Sequence, residues 1–191
     1  MTRAALLLPL LLLAACQSDR AARKETSAAP DDGSCAAAFP ASLFPGRLGT
    51  LARREQRSLG EGGGRFYAYR RALEGGELEL TAIVLPADRS ATLEQAFDLS
   101  VQQSMDADRE QLERDPKLLY QREVKRSGRL ARGRQGRVLS TPRGDPLAPS
   151  TIADHYLFEA RGCLLSLRVA YPTAREKKLA PEIETILTAL Q

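Results

Sequence analysis

Along residues 77–85 the chain alternates: Leu78, Leu80, Ala82 and Val84 stand between Glu77, Glu79 and Thr81. A period of two sorts side chains onto the two faces of an extended strand, so this segment belongs in a sheet with one face in a core and one in water. Gly75-Gly76 turns the chain into it and Pro86 stops it. Upstream, residues 50–59 and 65–73 flank the turn Gly60-Glu61-Gly62-Gly63-Gly64 and carry the mixed polar and aromatic content of a hairpin. Downstream, residues 152–159 and 163–171 are joined by Ala160-Arg161-Gly162, a second hairpin in which Cys163, Leu165, Leu167, Val169 and Tyr171 share one face. Residues 118–126 and 137–141 read as two further strands around a link over 128–136.

Two stretches have the helical period instead. Thr92-Leu93-Glu94-Gln95 fits a capping box, in which the Thr hydroxyl and the Gln side chain satisfy free backbone N–H groups. Leu93, Ala96, Phe97, Val101, Met105 and Leu112 then recur as one apolar stripe, and Pro116 marks the end of the segment. Thr173-Ala174-Arg175-Glu176 fits a second box, followed by the stripe Leu179, Ile183, Ile186, Leu187 and Leu190. Pro181 interrupts it, so the main helix is expected to open at Ala180-Pro181. The whole reads as α+β: an antiparallel sheet built from hairpins and covered by two amphipathic helices. This order, with a last strand ending in Tyr171-Pro172 and an amphipathic terminal helix, is similar to the PsbP-like domains of exported proteins. The resemblance implies a binding or assembly accessory rather than an enzyme.

The start of the chain is of another kind. Arg3 precedes a nearly continuous apolar run from Ala4 to Leu12, and small residues follow. That is the pattern of an export signal, and the run is too short for the roughly 20 apolar residues of a membrane span. Leu13-Ala14-Ala15-Cys16 resembles the lipobox of bacterial lipoproteins. The resemblance implies a diacylated (palmitate-type) thiol on Cys16, cleavage just before it, and acylation of the new amine. Gln17 stands where an Asp would resemble an inner-membrane retention signal, so the periplasmic face of an outer membrane is the expected location. Residues 16–34 are polar, small and aperiodic, too poor in apolar surface to offset the entropy of ordering, and are expected to be a disordered tether. The expected organisation is a signal peptide at 1–15, the tether at 16–34, and a single domain at 35–191.

With Cys16 lipidated, Cys35 and Cys163 remain, and in an oxidising periplasm an even pair reads as one disulfide. Charge is weakly basic. The formal net charge is +4, and removing Arg3 with the signal leaves 27 basic against 24 acidic residues. Clustering matters more than the total: Arg122, Lys125, Arg126, Arg129, Arg132, Arg134, Arg137 and Arg143 fall within 22 residues that contain a single acid, Glu123. Such a stretch either faces an anionic component of the envelope, such as lipid, glycan or a partner protein, or is a solvated edge that discourages strand pairing. Export excludes nucleic acid as a partner.

Chemistry is sparse. His155 is the only histidine, which by itself makes neither a metal site nor a triad, and no Gly-X-Ser-X-Gly elbow is present. The glycine run at 60–64 lacks a Gly-Lys-Ser/Thr ending, and Glu77 and Glu79 sit on the wet face of their strand. No catalytic residue, metal site or cofactor is therefore assigned. The expected role is a lipid-anchored, non-enzymatic binding or assembly accessory. The alternative is an envelope enzyme assembled from scattered residues such as Tyr67, Tyr69, His155 and Glu159.

Overall fold

The computed structural model describes residues 35–60, 64–88, 90–144 and 147–191. The expected signal peptide, Cys16 and the tether lie outside the described residues. Ten elements follow in order: β1 (Arg47–Leu48), β2 (Leu51–Leu59), β3 (Gly64–Leu73), β4 (Gly76–Pro86), α1 (Leu93–Gln111), β5 (Arg114–Val124), β6 (Gly133–Pro142), β7 (Thr151–Ala160), β8 (Cys163–Pro172) and α2 (Glu176–Ala189). The strands form one antiparallel sheet in the order β1-β2-β3-β4-β8-β7-β6-β5. The chain is α+β, and α1 carries it from β4 in the middle of the sheet to β5 at the far edge.

Alternation along the strands divides the core in two. Leu78, Leu80, Ala82 and Val84 of β4, together with Leu165, Leu167 and Val169 of β8, point to one face, where Leu179, Ile183, Ile186 and Leu187 of α2 pack on them. The alternate residues point the other way: Leu157 of β7 and Val138 of β6 meet Phe97 and Val101 of α1. Each helix thus packs on its own face. Before β1, Phe39 and Phe44 complete the α2-side core, with Phe44 stacked on Tyr67 at 4.4 Å between ring centroids.

Local chemistry explains where elements begin and end. Both bonds of the capping box at Thr92 form: Gln95 N donates to Thr92 Oγ1 at 3.1 Å and Thr92 N to Gln95 Oε1 at 2.9 Å. Three expectations need correction. Pro116 does not terminate the helix, which stops at Gln111; it lies inside β5, and an edge strand tolerates a residue with no N–H to donate. β6 starts at Gly133, four residues before the expected strand, because two glycines admit aromatic rings against the backbone: a Cβ on Gly136 would lie 2.9 Å from the ring of Phe97, and one on Gly133 2.4 Å from that of Phe158. The second capping box does not form. Thr173–Arg175 is a 3-10 turn, and α2 then runs through Pro181, whose exposed ring sits opposite the buried stripe. Burial of Leu179 before the proline and Ile183 after it holds the helix together across the lost hydrogen bond.

Candidate functional site

The basic stretch forms the β5–β6 hairpin, and the fold distributes its cations rather than gathering them on one surface. Arg137 faces α2, where its Nε and Nη2 donate to Asp154 at 2.7 and 3.0 Å and its Nη1 pairs with Glu176. Tyr171 donates its hydroxyl to the same Asp154 carboxylate at 2.7 Å. Burial, together with that bond, pushes the Tyr171 phenol well above its ordinary range, while Asp154 holds Arg137 firmly in its charged form. Arg126 grips both oxygens of Glu184 at 2.7 and 2.9 Å. Arg134 faces the other side of the sheet and pairs with Glu94 of α1 at 3.0 Å. Arg122 donates to Gln135 Oε1 at 2.9 Å and, like Arg137, lies over the ring of Tyr120. Arg143 pairs with Asp115 at 2.7 Å. The opposing acids arrive from α1, α2, β5 and β7, which is why the local sequence, with Glu123 alone, does not display them.

The remaining members lie in the loop between β5 and β6, at the end of the sheet where the described chain begins. Cys35 and Cys163 are disulfide-bonded there, at the first residue of β8. Arg129 donates to the main-chain oxygens of Gln191 and Ala38 at 3.0 and 3.1 Å. Gly128 beside it has φ +60, and a Cβ there would lie 2.4 Å from the Gln191 oxygen, so only glycine fits that approach. Arg132 pairs with Glu159 at 3.2 Å while 74% of its side chain stays exposed. Two clefts flank the loop and share Ala131 and Arg132. One, of about 500 Å³, is lined by Ala37, Ala38, Gly128, Arg129, Arg132, Glu159, Arg161 and Gln191 among others. The second, of about 460 Å³, lies between Thr92, Leu93 and Glu94 at the start of α1 and the loop residues Lys125, Arg132 and Arg134.

The residues considered for catalysis do not converge. Tyr67 and Tyr69 are buried in the core cluster that includes α2, and Tyr69 donates to the Pro45 carbonyl at 2.9 Å. His155 points to the opposite, α1-facing side of β7, and Glu159 sits at the sheet end by Arg132. His155 is 5% exposed, with Nε2 making no hydrogen bond. Burial, reinforced by the Arg168 guanidinium opposite it, lowers its pKa to about 3. Arg168 also donates to Ser104 at 3.1 Å and lies 3.4 Å from the buried Asp108, which accepts from Ser140. This cluster ties α1 to the sheet. Sequence reasoning missed both buried acids. Asp154 left a signal, as the one acid inside the near-continuous apolar run of residues 152–158; Asp108, one charge among several on α1, left none.

Among the described residues, no group of three or more His, Cys, Asp or Glu is placed to hold a metal ion, and no helix is long and apolar enough to cross a membrane. No protein-family model matches the chain, and no curated protein matches it. Among solved structures it is similar to PA94, a Pseudomonas aeruginosa protein of unknown function (TM-score 0.48, 11% identity, 72% of this chain and 84% of the other). It is similar as well to the cyanobacterial PsbP protein CyanoP of Synechocystis (0.45, 14%, 75% and 92%) and to the Saccharomyces cerevisiae Ran-binding protein Mog1p (0.44, 10%, 74% and 93%). At TM-scores below 0.5 these are likenesses of outline, and nothing further follows from them.

Proposed function

We propose that this chain is the precursor of a bacterial lipoprotein whose Cys16 carries the acyl chains, and that residues 35–191 act as a non-enzymatic binding or assembly module at the periplasmic face of the outer membrane. The observation that carries the reading is the run from Ala4 to Leu12 ending in Leu13-Ala14-Ala15-Cys16, with Gln17 next. Two or three acyl chains on one cysteine anchor a protein stably, where one binds a membrane only marginally. The disulfide of Cys35 with Cys163 suits an oxidising compartment. The separation of Tyr67 and Tyr69 from His155 by the thickness of the sheet favours binding over catalysis.

Cell fractionation tests the reading. Cys16→Ser should leave unprocessed precursor or release the domain from the membrane fraction. A Cys16→Ser protein that has lost residues 1–15 and still sediments with membranes after a salt wash contradicts it.

A further inference from the structure

We infer that the cleft between the disulfide-bonded start of the domain and the β5–β6 loop docks the phosphate headgroups of anionic lipids in the bilayer that holds the anchor. The inference rests on the lipoprotein reading for its geometry. Three guanidinium groups, of Arg129, Arg132 and Arg161, line the cleft, and Glu159 is the one carboxylate among the lining side chains. Arg129 is held beside the cleft by its bonds to the main-chain oxygens of Gln191 and Ala38. Arg132 and Arg161 are exposed, and the Arg132–Glu159 pair is a surface contact of small worth that an arriving phosphate displaces. At about 500 Å³ the cleft accommodates a headgroup.

Arg161 has a second peculiarity. With Gly162 it forms the two-residue β7–β8 turn, at φ +51 and +74, a geometry that favours Asn, Asp or Gly at the first position. Arginine gains nothing from that backbone. It places a long cation at the rim of the cleft, next to Ala37, whose carbonyl it faces at 3.4 Å.

The occupant is argued from the chain itself. Ala37 and Ala38 line the cleft two and three residues after Cys35, and Cys16 lies nineteen residues before Cys35. Even fully extended, that stretch spans at most about 65 Å. A link of this length holds the cleft at an effective concentration on the order of mM to the surface carrying the acyl chains, so weak headgroup contacts suffice. The guanidinium groups of Arg129, Arg132 and Arg161 complement the anionic lipids of that surface.

The test uses the mature chain, residues 16–191, carrying Cys16→Ser so that no acyl chain contributes, and sedimentation with vesicles. The protein should bind phosphatidylglycerol-containing vesicles at about 0.01 M salt, where the screening length is about 30 Å, and release at about 1 M, where it is about 3 Å. Vesicles of phosphatidylcholine alone should not retain it. Arg132→Ser with Arg161→Asn should lower the phosphatidylglycerol affinity by up to about thirtyfold. Arg161→Asn suits the turn, so the melting temperature should hold or rise and a loss of binding cannot be ascribed to unfolding. Absence of phosphatidylglycerol-dependent binding, or binding that the double variant retains in full, overturns the inference. So does salt-sensitive capture of an acidic envelope protein through Arg132 and Arg161 with no vesicle binding. Because no acyl chain is present, the outcome is independent of whether Cys16 is lipidated in cells.

Discussion

Replacing both Cys35 and Cys163 with alanine removes a cross-link between residues 128 apart. Alanine is the appropriate replacement, since both positions are buried and serine would bury two hydroxyls. In the chain-entropy description, opening a loop of this length frees the unfolded ensemble by about 5 kcal/mol at 25 °C, and ordinary disulfides fall between about 2 and 5. For a domain of this size each kcal/mol moves the melting temperature by about 2–4 °C, so a fall of about 10 °C is expected. Thermal melts followed by circular dichroism give the number. Adding a phosphine reductant should produce the same fall in the parent and none in the variant. A fall below about 2 °C would refute the reasoning. It would show that the packing of Phe39 and Phe44, both fully buried, holds the first residues of the domain without the bond.

Asp154→Ala should cost about 2–3 kcal/mol in urea denaturation, because it leaves the part-buried Arg137 guanidinium with Glu176 as its one acid and takes the acceptor from the Tyr171 hydroxyl; a loss under about 1 kcal/mol would mean water replaces the carboxylate freely. His155 should make the fold acid-sensitive: its folded pKa of about 3 lies below the free value of 6.5, so the unfolded chain binds the extra proton, and stability present above pH 6.5 is lost as pH falls toward 3. Between about pH 7 and 5.5 the parent should lose about 1 kcal/mol more than His155→Gln, and parallel pH profiles for the two would contradict this.

Much of the architecture is legible in the sequence because its signals are local. The alternation through Leu78, Leu80, Ala82 and Val84 marks a strand with one face in the core, and Thr92 with Gln95 marks the start of α1. The misread elements are those where a distant contact overrides a local rule. Pro116 looks like a stop signal until its strand proves to be an edge, and Gly136 looks like loop until Phe97 of α1 lies against it. The basic stretch shows the same limit in its charges. Arg126 and Arg137 look unopposed only because Glu184, Asp154 and Glu176 arrive from segments 17 to 58 residues away. What the local sequence does not show is that Arg129 and Arg132 meet Arg161 around one cleft, since that meeting depends on the β7–β8 turn.

The central claim is an acylated Cys16, and the intact mass of the protein isolated from its native membrane tests it most directly. The account predicts a chain beginning at residue 16, lacking residues 1–15 and heavier than the mature polypeptide by the mass of a diacylglyceryl group and an amine-linked acyl chain. Tandem fragmentation should place all of that added mass on the first residue. A mature protein of unmodified mass, or one that retains residues 1–15 with Cys16 free, would contradict it.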